Sequence, residues 1–220
     1  MKPPLEYDKF YHIFNRGNNY ENLFLENSDY EYFLELYDIY IDSIADTYAW
    51  CLMKNHFHIL LRIRDKDEIG FFNTADTNSE DIYKKWNTHF PQNPHPDFKK
   101  KPKPSEQFKH LFASYTKWFN SKYNRKGSLF TKNYERIQVK DEKYYSNLIV
   151  YIHNNPVKHG FAEHAMDYPW SSYLTVVSTK NTKLKREDVI EYFNDLENFK
   201  YMHQPGLIDE DRSLKGLVVE

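Results

Sequence analysis

Cysteine is nearly absent. Cys51 is the single thiol in 220 residues, so no internal disulfide can form. It lies in an apolar stretch and packs as a small hydrophobe, and a reducing, cytoplasmic location follows as the default. No apolar run approaches the roughly 20 residues needed to cross a bilayer, so no membrane partner is expected. The opening MKPPLEYDKF has no charged region followed by an apolar one, so no secretory leader is expected from it. Internal repeats are missing, as are low-complexity tracts beyond a lysine run at Lys99–Lys103. Aromatic residues, by contrast, are plentiful: 18% of the chain, with 19 Tyr and 16 Phe. Most must be core, but aromatic rings are also the surfaces on which unpaired bases stack.

Net charge is −2, and that small figure hides an asymmetry. Residues 1–98 carry −8, residues 99–140 carry +10 and residues 141–220 carry −4. A basic block of 42 residues inside an acidic chain describes a local surface for a polyanion rather than a generally basic protein. Solvated lysines on a loop account for part of it, the Lys99–Lys103 run especially.

Hydrophobic periodicity divides the chain into an α+β pattern. Residues 7–16 alternate and end at Gly17-Asn18-Asn19, which predicts a strand and a turn. Ser28 and Glu31 form a capping-box pattern, and Tyr30, Phe33, Leu34, Tyr37, Ile41 and Ile44 recur at helical spacing to about Ala45. Tyr48–Met53 and His56–Arg64 read as the two arms of a hairpin around Lys54-Asn55. Residues 65–104 are polar and proline-rich, a long inserted loop with one helical turn at Tyr83 to Trp86. Ser105 caps the next predicted helix, whose stripe is Phe108, Leu111, Phe112, Tyr115, Trp118 and Phe119, ending at Arg125-Lys126-Gly127. Ser128–Val139 is expected to be extended. Asp141 then caps a helix with Tyr145, Leu148, Ile149 and Ile152 inward, stopped by Pro156. These elements make one domain over residues 1–175. An extension over 176–220 adds one helix at 186–199 and a frayed tail from about Gln204.

Two stretches carry candidate chemistry. In Trp50–Arg64 a period of two puts Phe57, Ile59, Leu61 and Ile63 on one face, and His56 and His58 on the other with Leu60 and Arg62. Two imidazoles about 7 Å apart along a strand can share a divalent ion. On this stretch alone, two half-exposed histidines on a polar strand face remain the simpler account. In the helix after Asp141, Tyr151 sits at the edge of the apolar stripe and Asn155 shares its face four residues on. That offers a phenol beside an amide, or simply a boundary tyrosine with a wet hydroxyl.

Taken together, YHIFNRGNN, NHFHILL, GSLFTKNYERIQV and YIHNNPVKHGFAEHAMDYPWSSY resemble the REP-associated tyrosine transposases, single-tyrosine members of the HUH nuclease superfamily. The resemblance covers about Tyr11 to Tyr173, with the motifs in order. It implies an antiparallel ferredoxin-like sheet with helices packed on one face and the histidines on a central strand, plus the C-terminal helical extension. It implies further that His56, His58 and Asn155 hold Mg²⁺ or Mn²⁺ and that Tyr151 is the nucleophile. The expected activity is metal-dependent cleavage and rejoining of single-stranded DNA next to hairpins, through a 5′-phosphotyrosine. Hairpin phosphates would be gripped by the basic block, with Lys117, Lys122, Arg125, Lys126, Lys132 and Arg136 as candidates, and Arg16 at the end of the first strand is a further one. Relatives act as a monomer or a homodimer, and both states are carried as expectations. The alternatives are a hairpin-binding protein without catalysis, a replication initiator or relaxase, and a zinc hydrolase. The last needs a further ligand such as His153, which points well away from Tyr151.

Overall fold

The computed structural model describes residues 4–72, 79–90, 100–141, 143–204 and 207. In chain order its elements are β1 (Lys9–Arg16), α1 (Asn27–Ile41), β2 (Ala45–Met53), β3 (His56–Ile63), the two-residue β4 (Phe71–Phe72), α2 (Ile82–Trp86), the two-residue β5 (Thr88–His89), α3 (Pro104–Lys122), β6 (Glu135–Val139) and α4 (Lys143–Lys158). Three short helices follow: α5 (Tyr173–Val177), α6 (Arg186–Glu191) and α7 (Leu196–Met202). The main sheet is antiparallel in the order β2-β3-β1-β6. With α1 and α3 as its crossovers, this is the ferredoxin-like arrangement expected of the sequence. The histidine-bearing strand β3 is one of the two inner strands.

Alternation along β3 fixes which layer goes where. Phe57, Ile59, Leu61 and Ile63 are fully buried against α1 and α3, in one core with Tyr11, Ile13, Phe33, Leu111 and Tyr115. Burying each such side chain contributes about 1.5–3 kcal/mol. The expected single helical layer holds for these two crossover helices. The opposite, histidine-bearing face is covered as well. There α4 lies against β2 and β3, and α5 to α7 join it in a second core containing Cys51, Met53, Leu60, Leu148 and Phe199. No described helix is long and apolar enough to cross a membrane.

Several element ends differ from the sequence expectation. The box at the start of α1 is built by Asp29, not by Ser28 and Glu31: its carboxylate accepts from the backbone N–H of Leu25 (2.7 Å) and Glu26 (3.0 Å). Helix α3 starts with Pro104, so Ser105 lies in its first turn rather than capping it. It ends at Lys122, where Asn124 (φ 49°) takes the left-handed position just past the helix; Gly127 is left-handed too (φ 88°), but three residues further on in the loop. Only Glu135–Val139 of the 128–139 segment is strand. Residues 65–104 hold β4, α2 and β5, and their remainder at 73–78 and 91–99 lies outside the described residues, as does nearly all of the tail after Gln204. The helix expected over 186–199 is two helices, broken where Asn194 turns left-handed (φ 67°) and restarted by Asp195, which caps the Asn198 N–H.

The largest difference is at Pro156, which does not stop α4. Proline costs the helix the bond to the Ile152 carbonyl, yet the helix runs on to Lys158. Gly160 (φ 70°) ends it, with Gly160 N–H donating to the Val157 carbonyl and Phe161 N–H to that of Pro156.

The C-terminal extension is fastened to α4 and β2 by polar contacts. His153 Nδ1 lies 3.0 Å from His203 Nε2, and His153 Nε2 lies 2.7 Å from Ser172 Oγ. His203 Nδ1 meets the Phe199 carbonyl at 2.7 Å. Residues beside Ser172 also complete the outer edge of β2, as Leu52 N–H donates to the Trp170 carbonyl and Ser172 N–H to that of Trp50. Both histidines are buried, and burial drives both pKa values down, that of His203 to about 4. The unfolded chain takes up protons below about pH 6.5 that the folded chain declines, so stability is full above that pH and falls as the pH drops towards 4. His203 alone accounts for a loss of about 2 kcal/mol at pH 5. Thermal unfolding followed by circular dichroism should show Tm falling as pH goes from 6.5 to 5. A flat Tm across that window would mean that these rings are hydrated.

Candidate functional site

The site lies where the β2–β3 turn, the end of β1 and the last turns of α4 come together. Antiparallel register sets Arg16 opposite His56 and Phe14 opposite His58. The Lys54-Asn55 turn is tied to the end of β1 by the Gly17 N–H, which donates to the Asn55 carbonyl at 2.7 Å. His56 and His58 share one face of β3 with ring centroids 5.2 Å apart.

Each imidazole is held at Nδ1. His56 Nδ1 is 2.7 Å from Asn55 Oδ1, an acceptor, so it carries the proton. His58 Nδ1 is 3.0 Å from Nε2 of His12, a fully buried residue of β1. The Nε2 atoms of His56 and His58 are buried without a hydrogen-bond partner among the described residues. The bond to Asn55 gives His56 the Nδ1–H tautomer and leaves its Nε2 lone pair available to a ligand. Between His58 and His12 one proton is shared, and when it sits on His58 Nδ1 the His58 Nε2 lone pair is available as well. Burial, with His159 adding to it, lowers the His56 pKa to about 4, while Asn155 pulls it up. Burial and the neighbouring imidazoles His12, His56 and His159 hold His58 well below its ordinary value. Both rings are neutral at pH 7.

Tyr151 and Asn155 come to the same place from α4. The Tyr151 ring meets that of His58 edge-on, with centroids 5.5 Å apart. Burial raises the phenol's pKa and the Asn155 side chain lowers it, so Asn155 acts on Tyr151 and His56 alike. The Asn155 amide also donates to the Tyr151 carbonyl at 3.2 Å. All four residues singled out in the sequence thus converge. Tyr151 is 7% exposed, however, and neither it nor Asn155 lines the cleft in front of the histidines.

That cleft encloses about 480 Å³ between Phe14, Arg16, Tyr20, His56, His58, Lys132, His159 and Phe161. A second, larger cleft of about 850 Å³ lies on the α3 side and includes Lys109, Lys117, Lys132 and Arg136. The two share Asn15, Thr131 and Lys132, and there Asn15 Oδ1 accepts from the Thr131 hydroxyl at 2.6 Å. Of the basic candidates, Arg16, Lys117, Lys132 and Arg136 line one or both clefts, and Lys126 is exposed on the loop beyond α3. Lys122 and Arg125 are engaged within the fold. Lys122 pairs with buried Asp29 (2.8 Å) and with Glu26, and Arg125 pairs with Glu21 and binds the Ser128 carbonyl. His153 faces away from this site, towards Ser172 and His203.

Three contributors went unmarked in the sequence. His12 lies on the face of Phe14, and the alternation of YHIFNR carries that signal, but its partner depends on a register that one strand alone does not reveal. His159 lies 5.3 Å from His56, ring to ring, because α4 continues past Pro156. Asn55 carries only a turn signal in the sequence. Among the described residues no three His, Cys, Asp or Glu side chains are grouped to hold a metal. The donor set that fits an ion is two imidazole lone pairs and one amide, leaving further positions for water or phosphate oxygens.

No family model matches the chain. In fold it is similar to a solved REP-associated tyrosine transposase bound to a REP hairpin, with a TM-score of 0.56 over 81% of this chain and 85% of that one, at 15% identity. In sequence it is similar to a Haemophilus influenzae protein whose provisional name is REP-associated tyrosine transposase, with 27% identity over 133 residues. The matched region spans 58% of each chain. The sequence likeness is to a protein of the same family as the motifs, and the fold likeness is to a structure of that name.

Long-range ¹H–¹⁵N spectra at pH 7 should show His56 and His58 neutral, with the proton of His56 on Nδ1. A proton on Nε2 of His56 would refute the assignment.

Proposed function

We propose that the protein cleaves and rejoins single-stranded DNA beside a hairpin, with Tyr151 as nucleophile and His56, His58 and Asn155 as the holders of Mg²⁺ or Mn²⁺. The observation that carries this reading is the pair of orphaned, neutral Nε2 atoms next to a phenol and an amide. A fold with two unsatisfied buried imidazoles gains nothing from them in itself. The likeness to a transposase bound to a REP hairpin supports the substrate class.

Bound there, a divalent ion would polarise the phosphate and offset the charge that builds on it during in-line attack. Asn55 fixes the tautomer of His56, and His12 can take the Nδ1 proton of His58, which spares the site that reorganisation. Asn155 favours the phenolate over what burial alone would allow. In the reaction the phenol loses its proton, its oxygen bonds to phosphorus, and the P–O3′ bond breaks. The departing oxygen takes up a proton as a 3′-OH, and the 5′-phosphotyrosine keeps the bond energy for resealing by a second 3′-OH. Tyrosine has a pKa near 10, a shortfall of about 4 kcal/mol at neutral pH that the site must supply. Tyr151 must also turn outward from its buried position to meet a phosphate in the cleft. That burial favours one competing reading, a protein that binds hairpins without cutting them.

Two measurements test this. A labelled hairpin oligonucleotide with an unpaired flank, incubated with Mn²⁺, should give a covalent adduct. The adduct should disappear in Tyr151→Phe, His56→Ala and His58→Ala, and its persistence in Tyr151→Phe would sink the assignment. Its absence from the wild type, with binding intact, would favour the non-catalytic reading. Hairpin affinity should also fall steeply between 50 and 200 mM salt, and Lys132→Ala should lower the salt slope by about 1. A flat response would mean that the basic residues of the clefts do not meet phosphate.

A further inference from the structure

Two exposed aromatic side chains stand on the walls of the histidine cleft, and the fold has no use for either. Tyr20 is 73% exposed and Phe161 47% exposed. Of the large hydrophobic side chains exposed among the described residues, these two line that cleft.

Tyr20 is held out at a cost. It sits at φ 61°, directly after Asn19 at φ 52°, in the left-handed region that bulky side chains avoid. Its turn is pinned from several sides. Gly17 N–H donates to the Asn55 carbonyl (2.7 Å), Asn18 N–H to that of Leu129 (2.8 Å), and Leu23 N–H to that of Lys54 (2.7 Å). A Cβ at Gly17 would lie 1.8 Å from the Glu21 carbonyl oxygen, so only glycine admits this tight a turn. Strain stored in a rigid turn that presents an aromatic ring to solvent is an observation that asks for a ligand. Phe161 is placed with equal definition. It follows Gly160 in the motif that ends α4, where a hydrophobic residue would ordinarily fold back on the helix. Each ring also carries a cation from the cleft's own frame, Arg16 over Tyr20 at 4.9 Å and Lys54 over Phe161 at 5.8 Å.

A rigid ring with a cation beside it is suited to an unpaired nucleotide, whose base stacks on the ring while its phosphate meets the charge. We infer that Tyr20 and Phe161 are stacking platforms for unpaired bases of the strand whose phosphate reaches His56 and His58. This inference rests on the proposed function, for it names what holds the unpaired strand in that site. The platforms tolerate any base, because every base has a π face, so they set where the strand lies rather than which sequence it carries.

The test uses the full chain carrying Tyr151→Phe, so that the substrate stays intact. Hairpin oligonucleotides with an unpaired flank carry 2-aminopurine at one flank position at a time. Stacking should quench its fluorescence at particular flank positions. Tyr20→Ala should restore emission at one of them and Phe161→Ala at another, each weakening binding roughly 5- to 150-fold. An abasic site at the same position should weaken the parent protein equally and the alanine variant no further. Tyr20→Trp should keep both quenching and affinity, and an unchanged Tm confirms that the variants fold. Variants that bind the intact and abasic flanks as the parent does would overturn the platforms alone. An equal loss of affinity for a blunt hairpin with no flank would also overturn them. If neither the parent nor the wild type binds any hairpin or single-stranded DNA, the proposed function fails and takes this inference with it.

Discussion

The contact between His58 and His12 governs the site. It joins the two inner strands of the sheet through a pair of fully buried rings, 3.0 Å apart, and only one of the two nitrogens can carry the proton between them. Ionising either ring would bury a charge beside other imidazoles, which is why His58 is held neutral far below its ordinary pKa. With that proton on His58 Nδ1, the ring has one free lone pair and one direction in which to offer it. Asn55 settles the same question for His56 from the hairpin turn. The ferredoxin-like frame thus holds two aimed imidazoles rather than two histidines free to rotate.

The second half of the site depends on a helix that continues where proline should have ended it. Running α4 past Pro156 gives Tyr151, Asn155 and His159 a common face over two turns, with Phe161 just beyond at the cleft mouth. The extension α5 to α7 keeps that helix in place, since His153 on its far side is bound to Ser172 and to His203. One side of α4 therefore faces the histidines and the other anchorage.

The frame was legible because it is written in periods. The alternation of FHILLRI predicts one wholly apolar core face, and β3 has it, although its other face is also buried, under α4; the stripes of α1, α3 and α4 likewise fall on core positions. The convergence of His56, His58, Tyr151 and Asn155 was reachable once the motifs were set beside a known family. What could not be read was partnership between distant segments. His12 needs β1 in register with β3 before its role exists. Lys122 and Arg125 counted as free charge until α1 brought up Asp29 and Glu26 and the β1 turn brought up Glu21, each about 90 residues or more away along the chain. Pro156 misled for a different reason: a proline preference describes the average helix, and one lost hydrogen bond near a C-terminus is offset by the packing of the turns before it.

The seal on β2 has a consequence for how copies of this protein can meet. With the Trp50 carbonyl and the Leu52 N–H already engaged by residues 170–172, that margin of the sheet has no row of open backbone groups to offer another chain. The margin left is β6, five residues long and carrying Glu135 and Arg136, a length and a charge pattern that discourage strand-to-strand fusion. Among the described residues, self-association through a continuous main sheet is therefore disfavoured at both margins, which leaves side-chain and helix contacts as the route by which two copies would pair.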